Sequence, residues 1–407
     1  MEKPIACVIG DLSLIRALGR ANLEIAVATT DMAANLVRSR YVRHVILVPS
    51  FADDPHAAVN ELLRFGATCP VRPVLYFQGD DDLLAVSRER ATIAKYFRFT
   101  LPPEDLVEQL VDKVRFAPLA ERLGLPTPLT ITIAQGAALR DARVQNWAHF
   151  PCILKPATRT HWFGSPIQRD VVGTQQKAIR VESRGELDAL LPHVVAHQSA
   201  FILQAAIEGG EQHVLSYHAY VRDGSIVADF TGRKVRTSPR TYGISTCVEI
   251  TDDRQVREVG RDVLRRLAFS GVVKLDFKQD AKSGRLYLLE ANPRFNLWHH
   301  PGAVAGVNLP LIVYRDLVLP GSIEPGTMQA RPGVRWMAAR HDLRALSEYR
   351  AAGEVGLFKW LFQFATSEIT EDLYWHDPLP NLADLARSAA RAGTRAARSL
   401  SPAKGFG

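Results

Sequence analysis

Cysteine is scarce in this chain: four in 407 residues, at positions 7, 69, 152 and 247. No two of them have Cys-x-x-Cys spacing, so neither a structural zinc site nor a disulfide framework is indicated. Buried small hydrophobes are the expectation for all four. Long apolar runs are missing too, and nothing approaches the roughly eighteen residues a membrane span needs. The opening run Ile5–Ile9 is too short and wrongly flanked for a signal peptide, so cytoplasmic residence is expected. The chain has no internal repeat and no extended low-complexity segment. A glycine fingerprint is also lacking. After the first apolar run comes Gly10-Asp11-Leu12-Ser13, without the Gly-x-Gly-x-x-Gly that lets backbone approach a pyrophosphate. Asp31 lies about the right twenty residues on, but that alone does not make a dinucleotide site.

The remaining composition is that of a globular protein, with 47% hydrophobic and 23% charged residues. The length suggests two or three domains. A net charge of +7 favours anionic partners. The basic residues form no long stripe with interleaved aromatics, so nucleic acid is not expected. They concentrate instead in Arg233–Arg240 and in the last twenty-odd residues.

Periodicity outlines an α/β protein. Strands are predicted at Ile5–Ile9, Glu24–Ala28, His44–Val48 and Val74–Gln78, with a helix over Leu12–Leu23. Leu101-Pro102-Pro103 marks a boundary. A helix follows over 105–123, then a strand at Cys152–Leu154 and a helix over 184–195 opened by Ser183 and Glu186. Phe201–Ile207 reads as a strand, and Tyr217–Val221 pairs with Ile226–Phe230 across Asp223-Gly224. A helix over 253–269 has Gly271 as its C′ residue, and Pro310–Leu319 precedes a linker.

The chemistry gathers between Gly271 and Asn296. Two strand-like runs flank Lys282-Ser283-Gly284. Period-2 geometry puts Lys274 and Asp276 on one face of the first, with Val273, Leu275 and Phe277 opposite. On the second, Glu290 and Asn292 share a face, and Tyr287, Leu289 and Ala291 take the other. One cation and three oxygen ligands then converge, which suits a magnesium–triphosphate site with hard oxygen donors at about 2.0–2.1 Å. A solvated surface hairpin is the competing reading. Four polar groups opposite aliphatic faces, followed by Pro293 and Arg294, argue against it.

This segment resembles the metal-binding hairpin of the ATP-grasp superfamily. The resemblance extends over about residues 1–325 and implies an α/β (α+β) fold. A Rossmann-like domain (1–100) would precede an ATP-grasp domain (101–325). The latter would divide into subdomains of about 101–200 and 201–325, the second carrying the hairpin. Residues 326–407 would form an accessory region with a basic tail. The resemblance further implies ATP and Mg2+ (or Mn2+) as cofactors and Asp276, Glu290 and Asn292 as metal ligands. Nucleotide contacts would come from Lys113, Lys155, the hinge Gln204, Ala205, Ala206 and Ile207, the ribose-binding Glu211, and Lys234. Arg233, Arg236 and Arg240 compete with Lys234 for the γ-phosphate. If their segment is a strand, Lys234 and Arg236 share a face. Lys274 and Arg294 would hold an acyl phosphate or an acceptor carboxylate.

The wording Phe230-Thr231-Gly232-Arg233-Lys234 with Glu290-Ala291-Asn292-Pro293-Arg294 is similar to the bacterial carboxylate–amine ligases, the D-aspartate ligase-like group. The implied activity is an ADP-forming ligase acting through an acyl phosphate on small carboxylate and amine substrates. A nucleotide-binding protein without turnover is the competing class. One departure stands out: Ala157–Ser165 has one glycine, at Gly164, where the family has a glycine-rich flap; either Arg159 and hydroxyls would take its place, or the flap would order only with substrate bound. His299 or His300 could serve as base to the amine, against a packing role. The tail, a helix over Leu382–Leu400 carrying Arg387, Arg391, Arg395 and Arg398, could touch an anionic membrane, against a solvated tail. A homo-oligomer is left open.

Overall fold

A computed structural model describes residues 3–134, 141–157, 178–196, 200–385 and 387. The sequence expectations for Arg159, for most of the flap and for the tail beyond Arg387 lie outside these residues. Among the described residues no helix is long and apolar enough to cross a membrane.

The first sheet holds β1 (Ala6–Ile9), β2 (Ile25–Thr29), β3 (Val42–Leu47) and β4 (Val74–Phe77), all parallel, in the order β3-β2-β1-β4. Chain direction across the sheet reverses between β1 and β4, and ligands of open α/β sheets bind at such switch points. The helix expected over Leu12–Leu23 stops at Gly19, and all eight of its residues are buried, Arg16 included. Glycine is required there because a Cβ would lie 2.2 Å from the Tyr41 ring.

The segment 105–123 forms two helices, Glu104–Val111 and Lys113–Arg122. Asp112 breaks the run and accepts from Val114 N at 2.8 Å, an N-cap that sets Lys113 on the first turn. A second sheet follows, with β5 (Thr130–Ile133), β6 (Cys152–Pro156), β7 (Ile179–Val181) and β8 (Phe201–Ala205) antiparallel in the order β5-β8-β6-β7. The helix Arg184–Ala196 covers it, burying Leu187, Leu191 and Val194.

The third sheet is the largest. It contains β9 (Val214–Arg222), β10 (Ser225–Ser238), β11 (Ile244–Thr251), β12 (Gly271–Gln279), β13 (Leu286–Asn292), β14 (Arg335–Met337) and β15 (Ile369–Thr370), in the order β13-β12-β9-β10-β11-β14-β15. Asp223 and Gly224 close the β9–β10 hairpin with φ of 49° and 76°, the positive pair a two-residue turn needs. One sheet face, with Tyr217, Val273 and Leu275, packs on the helix Arg254–Arg266. The opposite face, with Tyr220, Phe230 and Val272, shares a core with the first sheet and the helix Leu309–Val318.

Three local expectations need correction. The helix Arg254–Arg266 ends before Gly271, and Ala268 takes the left-handed position at φ 45°. Gly271, at φ 116°, begins β12, and a Cβ there would meet the Leu101 backbone at 3.3 Å. Cys69 is only part-buried, unlike the other three cysteines.

Residues beyond 325 share the third sheet through β14 and β15. They also reach the first sheet's helix. Asp377 accepts from Arg16 Nε at 3.2 Å, Ser39 Oγ at 2.9 Å and Arg40 N at 2.9 Å, with both members of the ion pair buried.

Candidate active site

A cleft of about 1180 Å³ opens where the three sheets meet. The first sheet contributes the loops after β1 and β4, with Gly10, Asp11, Gln78 and Asp80. The second contributes Lys155 and Gln204–Ile207, and the third Lys234, Lys274, Asp276, Glu290 and Asn292. Lys113, Glu211 and Arg294 also line it, so the residues expected for nucleotide, metal and acyl phosphate reach one cavity.

Strand register explains the convergence. Lys274 pairs with His218 and Asn292, and Asp276 with Ser216 and Glu290. Side chains directly opposite across antiparallel strands share a face. That face is apolar at Tyr220 and Val272 and becomes polar as it enters the cleft.

Two β-bulges change the period-2 reading. Between Asp276 and Phe277 the register slips, so Phe277 pairs with Leu288 and Leu289 is the extra residue. Leu286 and Leu288 therefore join Ala291 in the core, where the alternation put Tyr287 and Leu289. Leu289 lines the cleft beside Glu290. The second slip lies between Lys234 and Arg236, so these residues occupy opposite faces rather than the shared face expected. Lys234 stays with Asp276, while Arg236 turns to a buried ion pair with Asp342 at 2.8 Å. Arg233 pairs with Glu249 and Arg240 with Glu354, which leaves Lys234 as the basic residue of this run coupled to the carboxylate cluster.

Electrostatics in the cleft is dense. Lys274 Nζ lies 2.7 Å from Asp276 Oδ2, and Ser216 Oγ donates to Asp276 Oδ1 at 2.7 Å. Burial alone would raise the Asp276 pKa. The Lys274 and Lys234 ammonium groups and these hydrogen bonds outweigh it and hold the carboxyl well below the usual carboxylate range. Burial lowers Lys274, against the pull of Asp276. Burial also opposes the charge on Lys234, but Asp276, Glu211 and Glu290 prevail and raise its pKa.

Lys155 is lowered strongly. Burial, reinforced by Lys113 and Lys234, brings it down to about 8 despite Glu290. Its Nζ donates to Gln204 Oε1 at 2.7 Å, and Gln204 Nε2 donates to Thr130 Oγ1 at 2.9 Å. In the hinge, the Ala205 and Ala206 amides donate to Leu129 O and Pro151 O at 2.9 and 3.0 Å. Those two amides are thus committed to the sheet, and a ligand there would meet their carbonyls.

Arg294 joins two sheets: it ion-pairs with Asp80, donates to Gln78 O at 2.9 Å, and reaches Asn292 Oδ1 at 3.4 Å. Gln78, at the end of the strand predicted over Val74–Gln78, and Asp80 just beyond it were not singled out from sequence. Lys278 was also missed; it continues the alternation of Lys274 and Asp276, lines the cleft and donates to Gly210 O at 2.6 Å.

His299 and His300 do not line the cleft. Burial pushes both imidazoles down to about 3, and they pack against Phe295 and Tyr374 with ring centroids 5.3 and 4.8 Å apart. The base role weighed for them is not supported.

Among the described residues no three His, Cys, Asp or Glu side chains converge to hold a metal. The set on the cleft face is instead two carboxylates and an amide, Asp276, Glu290 and Asn292. All are hard oxygen donors, and Asp276 is already ionised, so they fit a magnesium ion that completes its shell with water and phosphate.

No protein-family model matches the chain. It is 24% identical to a D-aspartate ligase of Enterococcus faecium over 295 residues, 70% of this chain and 69% of that protein. It is also 24% identical to a D-alanine–D-alanine ligase of Xanthomonas axonopodis over 227 residues, spanning 64% of that protein's length. In structure it resembles an L-amino acid ligase from Bacillus licheniformis, with a TM-score of 0.58, 15% identity and coverage of 80% and 78% of the two chains. It also resembles an N5-carboxyaminoimidazole ribonucleotide synthetase in its ADP complex, with a TM-score of 0.61, 14% identity and coverage of 86% and 85%. The solved structures establish that the chain has the ATP-grasp fold, and its sequence resembles those of carboxylate–amine ligases.

Proposed function

We propose that this protein is an ATP-dependent, ADP-forming carboxylate–amine ligase acting on amino acids or related small acids. One observation carries the reading: Lys274, Asp276, Glu290 and Asn292 share a sheet face in a cleft that also holds Lys155 and Lys234. The sequence similarity to D-aspartate and D-alanine–D-alanine ligases supports the choice of reaction.

The purine would pack on Ile207 and Leu289 and bond the hinge backbone, and Glu211 would accept from the ribose hydroxyls. Lys155 and Lys234 would offset triphosphate charge, Lys234 at the γ-phosphoryl group. Asp276, Glu290 and Asn292 would hold magnesium (manganese has the same donor preference), which when bound neutralises charge between the phosphates. Lys113 stands behind Lys155 as a further positive charge.

The substrate carboxylate attacks the γ-phosphorus as its bond to ADP breaks, giving an acyl phosphate. The amine then adds to the acyl carbon, phosphate departs, and the amine loses a proton. Lys274 and Arg294 would hold the acyl phosphate or the acceptor carboxylate. Converting the carboxylate to its phosphoric anhydride replaces a poor leaving group with a good one. Closing the cleft over the substrates would keep water from it.

The test incubates purified protein with magnesium–ATP and pairwise mixtures of amino acids and carboxylic acids, following phosphate and product. Release that depends on both partners is expected. ATP binding with no release for any pair would favour a nucleotide-binding protein without turnover.

A further inference from the structure

Past the Val235 bulge the cleft continues into a lobe bounded by Arg240–Ser245 and by the helices Ala339–Ala351 and Leu357–Ala365. Arg236, 1% exposed, lies in its wall. Its Nε is held by both Asp342 oxygens, at 3.0 and 2.8 Å, and its Nη1 donates to Gln363 Oε1. Asp342 is itself fixed by Thr246 Oγ1 at 2.6 Å and Trp360 Nε1 at 2.8 Å. The guanidinium is therefore locked in place, yet its Nη2 is buried without a hydrogen-bond partner. A buried cationic donor left without an acceptor is costly, and native proteins keep such groups where something completes them.

A second cation faces the same lobe. The Lys359 ammonium touches only the Glu354 carbonyl, at 3.5 Å, and makes no ion pair among the described residues. Every other arginine and lysine singled out around the nucleotide site is tied to a carboxylate, an amide or a backbone carbonyl at closer range, or stands in the nucleotide cluster. Arg236 and Lys359 thus place two cationic donor groups on one lobe, and a carboxylate has two oxygens to meet them.

We propose that this lobe is a second anion subsite, in which Arg236 and Lys359 take a free carboxylate of the substrate while its reacting end lies near Lys234 and Asp276. The identity of the ligand as a substrate rests on the ligase reading. The anion site itself does not. A substrate with two carboxylates is favoured over its monocarboxylate counterpart because the lobe supplies no partner for a methyl group that equals two charge-assisted hydrogen bonds.

Calorimetric titration of the full chain, saturated with magnesium–ADP, tests this with D-aspartate and succinate as dicarboxylate probes. D-Alanine and inorganic phosphate serve as controls. The dicarboxylates bind, and Lys359→Ala weakens them by about tenfold or more while ADP affinity holds, as loss of a charge-assisted bond requires. Lys359→Arg restores most of the loss. Arg236→Lys has the same effect, and Lys359, which is exposed and outside the buried network, keeps the test valid if that variant fails to fold. Dicarboxylate binding that is absent in the wild type, or unaltered in Lys359→Ala, overturns the proposal. So does phosphate binding as tightly as both dicarboxylates. Intact, Lys359-dependent binding without acid-dependent phosphate release sustains the subsite and sinks the ligase reading.

Discussion

Lys155 is a cleft side chain whose protonation the fold alters strongly. An unfolded lysine titrates near about 10.4, whereas burial and the neighbouring Lys113 and Lys234 bring Lys155 to about 8. The unfolded chain then binds more protons between these values, so this group makes stability rise with pH across that window. Thermal unfolding of wild type and Lys155→Met between pH 7 and 10 checks the sign: wild type gains relative to the variant as pH rises. A nucleotide triphosphate reverses the balance by favouring the ammonium form. Magnesium–ATP binding at pH 9 therefore takes up protons, read from calorimetry in buffers of different ionisation heat, and zero uptake would contradict the placement of Lys155 at the phosphates. Glu290→Gln removes a proposed metal ligand from a partly buried cleft position rather than from the core. Turnover should disappear while the melting temperature stays near wild type, and a large drop in melting would mean that Glu290 is architectural.

How far the sequence could be read is clearest at the hairpin β12–β13. Strict alternation correctly brought Lys274, Asp276, Glu290 and Asn292 to one face, because these four lie on the same side of the register slip. It failed at Leu286–Leu289, just across the bulge, where one extra residue exchanges core and cleft faces. The same error put Lys234 and Arg236 on one face, which the bulge between them separates. A bulge leaves no composition signal in a run such as Lys234-Val235-Arg236, and it is stabilised by distant partners: Asp342 lies 106 positions from Arg236. Helix boundaries erred for local reasons instead. Asp112 caps a second helix inside a continuous apolar pattern, and Ala268 occupies a position usually filled by glycine. Gly271 does have a steric duty, since its φ of 116° and the Leu101 backbone leave no room for a side chain. Gly271→Val should lower unfolding free energy by about 1–3 kcal/mol, the usual size of such backbone strain, measurable by urea denaturation. An unchanged midpoint would show that β12 can shift away from Leu101.

Across the molecule a parallel sheet is followed by two further sheets, and the cleft lies among all three. The chain's last third was the least legible part. The expectation of an accessory region did not reveal that β14 and β15 would extend the third sheet, nor that Tyr349 and Lys359 would line the cleft. Nor could spacing reveal that Asp377 closes on Arg16, 361 positions away. Removing one partner of a buried ion pair leaves the other charge stranded, at a cost of about 3–5 kcal/mol. Asp377→Ala should destabilise by that order and release the C-terminal segment to proteolysis. A neutral effect on both would mean that Arg16 is satisfied by the Glu371 and Asp377 carbonyls alone.

The central claim is that a magnesium-bound nucleoside triphosphate sits among these sheets on Lys155, Lys234 and the Asp276 cluster. Isothermal titration of the full chain with ATP, with and without magnesium, tests it most directly. The account predicts saturable one-site binding that weakens when magnesium is chelated and weakens again in Lys155→Met. No heat of binding under either condition, or binding indifferent to both magnesium and Lys155, would contradict it.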